Sequence, residues 1–163
     1  MQVYLLRHGI AEEGSSARSD AERRLTADGR KKLRQVLQAA AQAGVAPSLM
    51  LSSPFDRALQ TAELAKKALA YTGEILQSKA LTPGASVEQV WDEIRVHRDE
   101  HSILLVGHNP LFSNLAGYLI GSNSAQIDFK KGAIMRVDVE SFLSQPKGRL
   151  RWYLTPKIAA KTD

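Results

Sequence analysis

Gln2-Val3-Tyr4-Leu5-Leu6-Arg7-His8-Gly9 opens the chain, and the fold is read outward from it. Val3 to Leu6 is an apolar run of residue types that fit a pleated interior surface, which predicts a short buried strand. The run stops at Arg7-His8-Gly9. Glycine permits a turn that other residues resist, so Arg7 and His8 are placed on the lip where a core strand meets a loop. A guanidinium beside a titratable imidazole on a rigid strand end suits chemistry better than packing. Taken alone, the same tripeptide also describes two solvated surface residues, and the rest of the chain decides between the readings.

The 163 residues suffice for one domain with a proper core, and the 44% hydrophobic and 24% charged content is ordinary for a globular protein. The absence of cysteine excludes disulfides, thiol catalysis and cysteine-ligated metal sites. No segment has the length and apolarity to cross a membrane and the start does not read as a leader, so a soluble cytoplasmic protein is expected. The net charge of +5 points to anionic ligands. Its basic residues fall in short scattered groups (Arg23-Arg24, Arg30-Lys31-Lys32, Lys130-Lys131) without interleaved aromatics, so neither nucleic acid nor membrane is expected as a partner.

Beyond the first strand, residues 10–24 are polar and aperiodic and read as an exposed loop. Thr26 is a suitable helix N-cap, Leu33, Val36, Leu37 and Ala40 recur at helical spacing, and Gly44 is a plausible stop. Ser48 to Leu51 reads as a second strand, ending at Ser52-Ser53-Pro54. A helix is expected from about Pro54 to Leu69, with Ser53 as cap and Arg57 in its first turn, where a bound anion would offset the unfavourable cation. A weak strand near Glu74 to Leu76 precedes a helix opened by the Ser86/Gln89 capping box. Ser102 to Val106 is the strongest strand; it ends at Gly107-His108-Asn109-Pro110, with Asn109 and Pro110 placed to start another helix. Ala133 to Val139 and Arg149 to Leu154 read as an antiparallel pair, and the tail from Pro156 is expected to fray.

Alternating strands and helices predict one α/β domain over residues 1–163: a three-layer α/β/α sandwich with a mostly parallel central sheet and one antiparallel edge. Ligands of such sheets sit beyond the carboxyl ends of the strands. Arg7 and His8 follow the first strand, Arg57 follows the second, and His108 follows the strand ending at Val106. Two guanidiniums offer planar forks matched to phosphate oxygens. In that setting an imidazole serves as a nucleophile toward phosphorus, and a second imidazole stabilises charge on the phosphoryl oxygens. Such a site needs no metal or other cofactor. His97 and His101 lie away from the strand ends and are read as surface residues, so the four histidines do not suggest a metal site.

These blocks carry a resemblance. Leu6-Arg7-His8-Gly9, Ser53-Pro54 with Arg57-Ala58 and Gln60-Thr61, and Gly107-His108 resemble the histidine phosphatase (phosphoglycerate-mutase-like) superfamily over nearly the whole chain. The short length, Arg24-Leu25-Thr26, Leu81-Thr82-Pro83 and His108-Asn109-Pro110 resemble its small phosphohistidine phosphatase (SixA) branch. The resemblance implies His8 as the phosphorylated nucleophile and Arg7, Arg57 and His108, with Gly9, as the phosphate pocket. Many members of the superfamily carry a carboxylate proton donor in the segment corresponding to Leu81-Thr82-Pro83-Gly84, yet no Asp or Glu occurs between Lys79 and Val87. Glu12 and Glu13 are the remaining candidate proton donors, set against their reading as solvated loop residues.

An alkoxide leaving group needs a proton, whereas the imidazole of phosphohistidine leaves more readily. The expected activity is therefore a metal-independent phosphatase acting on phosphohistidine in a protein, such as a phosphotransfer domain, with the chain itself a monomer. Two rival readings stand beside it: a phosphomonoesterase acting on small phosphorylated molecules, and a phosphoprotein-binding module with little turnover.

Overall fold

The computed structural model describes residues 1–161 of the chain. Six strands form one sheet in the spatial order β3-β2-β4-β1-β5-β6: β1 (Gln2–Arg7), β2 (Leu49–Ser52), β3 (Ile75–Gln77), β4 (Ser102–Gly107), β5 (Ile134–Asp138) and β6 (Arg149–Leu154). The four strands β3, β2, β4 and β1 run parallel. β5 and β6 close the other edge antiparallel. The architecture is the expected three-layer sandwich.

Successive side chains of a strand point to opposite faces, and this period of two divides the core into two clusters. Val3, Leu5, Ile103 and Leu105 face α3 (Val87–Val96) and α4 (Leu111–Leu119), with Trp91, Ile94, Phe112 and Leu115 packed against them. Tyr4, Leu6, Leu104 and Val106 face α1 (Ala27–Gln42) and α2 (Asp56–Ala68), meeting Leu33, Val36, Leu37, Ala58 and Ala62. Leu5 and Leu105 are fully buried, so truncating either to alanine is expected to cost about 2–5 kcal/mol. Both faces of β1 and β4 are covered, which is why their sequences read as continuous apolar runs instead of alternating.

Local signals set most element ends. Thr26 Oγ1 accepts the Gly29 N–H at 3.0 Å and opens α1. The Ser86/Gln89 capping box opens α3, and Gly44, at φ +80°, follows the end of α1 in the left-handed region. Two starts differ from expectation. The second helix begins at Asp56, with Phe55 at its N-cap, and not at Pro54. α4 begins at Leu111, Asn109 Oδ1 still accepting the Ser113 N–H at 3.2 Å.

The tail expected to fray from Pro156 instead forms a short helix, α5 (Pro156–Ala159), capped by Thr155, and Ala159 is buried in the cluster built around α1. Residues 162–163 of that tail lie outside the described residues. Among the described residues, no helix is long and apolar enough to cross a membrane.

Candidate active site

Sheet register assembles the site. Arg7 on β1 pairs with Gly107 on β4, and Val106 pairs with Ser52 on β2, so these three adjacent parallel strands end within one residue of the same level and the residues that follow them meet at one end of the sheet. Those residues are His8, His108 and Ser53. The main chain holds the alignment one step past the strands: His8 N–H donates to Gly107 O at 3.0 Å and Ser53 N–H to Val106 O at 2.9 Å. The rings of His8 and His108 lie 5.1 Å apart between centroids, and both are buried.

The hydrogen bonds assign a proton to each ring. His8 Nδ1 lies 2.7 Å from the carbonyl oxygen of Gly9, which can only accept, so Nδ1 carries the hydrogen. Nε2 is then the lone-pair nitrogen, and the Nε–H of Arg57 points at it from 3.4 Å. His108 is held through its other nitrogen. Its Nε2 lies 2.8 Å from Ser53 Oγ, and that hydroxyl already accepts the Phe55 N–H at 3.3 Å. Among the described residues the buried hydroxyl has no other acceptor for its hydrogen, so it donates to His108 Nε2 and the ring proton stays on Nδ1. His108 Nδ1 is buried with no partner in the protein. An unsatisfied buried donor is costly, and a phosphoryl oxygen would satisfy it.

Arg57, in the first turn of α2, is 5% exposed despite its charge. Its Nη1 donates to Asp20 O at 2.7 Å and its Nη2 to Asp20 Oδ2 at 3.2 Å, while the guanidinium lies 5.2 Å from the Phe55 ring centroid. Asp20 is in turn held by Arg23, whose Nη1 meets Asp20 Oδ1 at 2.9 Å and whose Nε donates to Glu12 O at 2.7 Å. Arg7 Nη1 donates to Phe129 O at 2.6 Å, and Arg7 Nε is buried without a partner.

Burial, reinforced by the positive charges of Arg57, Arg7 and Lys131, lowers the His8 pKa to about 3 against the opposing hydrogen bond to Gly9. Burial likewise lowers His108 to about 3, with His8, Arg57 and Arg7 adding to the shift and Asp20 opposing it. Both rings are thus neutral near pH 7 in the free protein. For His8 this is the reactive form, since only a neutral imidazole has a lone pair to attack with. The hydrogen bond from Arg23, aided by Arg57, holds the Asp20 carboxyl below its usual range.

The structure brings together Arg7, His8, Arg57 and His108 as read from the sequence, and alters the parts given to their neighbours. Gly9 was expected to bind phosphate, but its N–H donates to Thr61 Oγ1 at 3.2 Å and its carbonyl orients His8. Nor is its φ positive; a Cβ there would fall 2.5 Å from Leu33 Cδ1 on α1, so that side chain would have to shift to admit one. Glu12 is exposed and ion-paired with Arg18 at 3.3 Å, and Glu13 is exposed. The carboxylate that reaches the pocket is that of Asp20, at the start of a 3₁₀ turn (Asp20–Glu22) inside the segment read as featureless loop. Asp20, Arg23 and Ser53 were not among the candidate site residues. The Ser19/Glu22 capping box was the available signal for the turn, since it marks a helical start three residues apart.

A profile of the histidine phosphatase superfamily (branch 1) matches residues 3–82, the half that carries Arg7, His8, Ser53 and Arg57. An uncharacterized protein of Picosynechococcus is 31% identical over 137 residues, covering 83% of each chain. The chain belongs to the histidine phosphatase superfamily. Among solved histidine phosphatase structures, the protein histidine phosphatase SixA complexed with tungstate superposes with a TM-score of 0.87 at 28% identity, over 96% of this chain and 98% of that one. A SixA-named protein of Agrobacterium tumefaciens gives a TM-score of 0.79 at 24% identity, over 95% and 98% of the two chains, a likeness of fold. This histidine phosphatase fold and its SixA neighbours support phosphatase activity.

Proposed function

We propose that this protein is a phosphatase that removes phosphate from phosphohistidine in a protein, through a phosphohistidine intermediate on His8. The observation that carries the reading is that the two imidazoles leave different nitrogens free: Gly9 O occupies His8 Nδ1 and leaves the Nε2 lone pair, while Ser53 Oγ occupies His108 Nε2 and leaves a buried Nδ1 without a partner. In the first step His8 Nε2 forms a bond to phosphorus while the bond from phosphorus to the substrate's imidazole nitrogen breaks, the substrate ring, protonated on its other nitrogen, leaving as neutral imidazole. The phosphoryl group passes between two nitrogens of the same kind, so little driving force is needed. Arg7 and Arg57 neutralise charge on the transferring oxygens, and His108 Nδ1–H donates a hydrogen bond to one of them. Water then attacks phosphorus, the bond to His8 breaks, and inorganic phosphate leaves.

The missing carboxylate in the Leu81 to Gly84 segment favours this substrate over alkyl phosphates, whose leaving oxygen must be protonated as it departs. Phosphate release from a phosphohistidine protein and from an alkyl phosphomonoester tests the choice. General acid catalysis contributes about 10²–10⁴-fold, so kcat/KM should favour phosphohistidine by at least about a hundredfold. Equal values would establish the small-molecule reading in its place, and tight phosphoprotein binding without phosphate release would establish the binding module.

A further inference from the structure

Arg7 also lines a cleft of about 890 Å³ between α1, the segment before β5, and α5. Its charged lining is Arg7, Lys32, Lys130, Lys131 and Lys157, against the single carboxylate of Asp128. Two of these lysines have carboxylate partners: Lys32 pairs with Asp28 at 2.8 Å and Lys130 pairs with Asp128. Among the described residues, Lys131 and Lys157 have none, and both are exposed. Like charges around one concavity repel, which disfavours leaving it empty and raises the local concentration of anions.

Hydrogen bonds tie down the backbone that carries these side chains. Arg7 Nη1 holds Phe129 O, Gly132 N–H donates to His8 O at 3.0 Å, and Tyr153 OH accepts the Lys130 N–H at 2.8 Å while donating to Asp128 O at 2.9 Å. The Lys157 wall is the α5 turn, anchored through buried Ala159. A preformed cleft loses less on binding than one that must be ordered. It is also continuous with the reaction centre: Arg7 borders both, and the charge of Lys131 is felt at His8.

We propose that this lysine cleft is a second anion subsite that seats acidic side chains flanking the phosphohistidine of the protein substrate. The inference rests on the phosphohistidine-protein reading above and adds to it a charge requirement on the partner: aspartate or glutamate on the surface beside the modified histidine. Arg7 then contacts the phosphoryl group from one side of the boundary and the substrate's carboxylates meet Lys131 and Lys157 on the other.

The test uses two histidine peptides of equal length, one with Asp and Glu flanking the histidine and one with Asn and Gln in their places. Binding of the unphosphorylated peptides is followed by fluorescence anisotropy, and dephosphorylation of the phosphorylated forms is followed in parallel. The wild type should favour the acidic peptide about tenfold or more at low salt, as electrostatic pairing predicts, and the preference should shrink with added salt. The double substitution Lys131→Gln/Lys157→Gln should abolish it. Equal binding of the two peptides, or a preference that survives the double substitution, overturns the proposal whatever the turnover. A double variant that loses affinity for a small organic bisphosphate, with no effect on the acidic peptide, also overturns it in favour of a small-molecule subsite. Charge-dependent binding without dephosphorylation would sustain the cleft and refute the phosphohistidine-phosphatase reading, so the two failures are distinct.

Discussion

Ser53 Oγ stands 2.8 Å from His108 Nε2, one residue past the end of β2, and its hydroxyl fixes which nitrogen of that ring bears the proton. The neighbouring ring, His8, is held instead at its Nδ1, by the carbonyl of Gly9, which leaves its Nε2 free. Two imidazoles of one residue type thereby take opposite roles, donor and nucleophile, through one hydrogen bond each.

Removing that hydroxyl should free His108 to adopt either tautomer. For Ser53→Ala we expect kcat to fall about tenfold, with KM nearly unchanged, because loss of one transition-state donor typically costs about 10²–10³-fold and here the donor is only partly lost. Nitrogen NMR of His108 should show the Nδ1–H form in the wild type and a mixture in the variant. An unchanged tautomer in Ser53→Ala would remove this role from Ser53.

Arg57 cannot be replaced by lysine without losing geometry. Its three nitrogens engage His8 Nε2, Asp20 O and Asp20 Oδ2 separately, which an ammonium cannot reproduce. Arg57→Ala and Arg57→Lys should both lower kcat/KM by about 10²–10³-fold, the scale of a lost transition-state donor. Recovery of near wild-type activity in the lysine variant would show that only charge matters.

Asp20 places a carboxylate on the guanidinium that a phosphate would use. In Asp20→Asn the competing charge is gone, so tungstate should bind about three- to fivefold more tightly, a change within the range of an exposed ion pair. Isothermal titration of both proteins at one ionic strength measures it. Weaker binding in the variant would mean that Asp20 chiefly holds Arg57 in place.

The two buried imidazoles predict an acid-side loss of stability. Each has a folded pKa of about 3, below the ordinary value of 6.5, so between those limits the unfolded chain binds more protons. Their contribution is therefore complete above pH 6.5 and is lost as pH falls toward 3, by up to about 1.4 kcal/mol per pH unit for each ring. Denaturation midpoints measured from neutral pH down into this window should show that slope in the wild type and a shallower one in His108→Asn. Parallel slopes would argue against a neutral His108.

Much of this was legible in the chain. Strand runs such as Ile103 to Val106 announce themselves because burial on both faces removes polar residues, and caps such as Thr26 and Ser86 mark helix starts chemically. Arg7, His8 and His108 could be found because they close apolar runs at strand ends, and Arg57 because it opens the helix that follows one. Ser53, Asp20 and Thr61 could not, since their roles depend on partners 55, 37 and 52 residues away in sequence. Serine before proline reads as a cap, and an aspartate in a polar loop reads as solvated, until the register of β1, β2 and β4 brings the distant partner alongside. The α5 turn escapes a sequence reading for a related reason: four residues are too few to show a period, and only the α1 surface makes Ala159 a buried residue.

The most direct test of the account is to trap the phosphoenzyme. The protein is mixed with a phosphohistidine protein carrying radiolabelled phosphate, quenched within the first turnovers, and the label is tested for stability in acid and in alkali, with His8→Ala alongside. The account predicts label on the wild type that survives alkali, is lost in acid, and is absent from His8→Ala. Label that persists in His8→Ala, or that survives acid as a serine ester would, contradicts it.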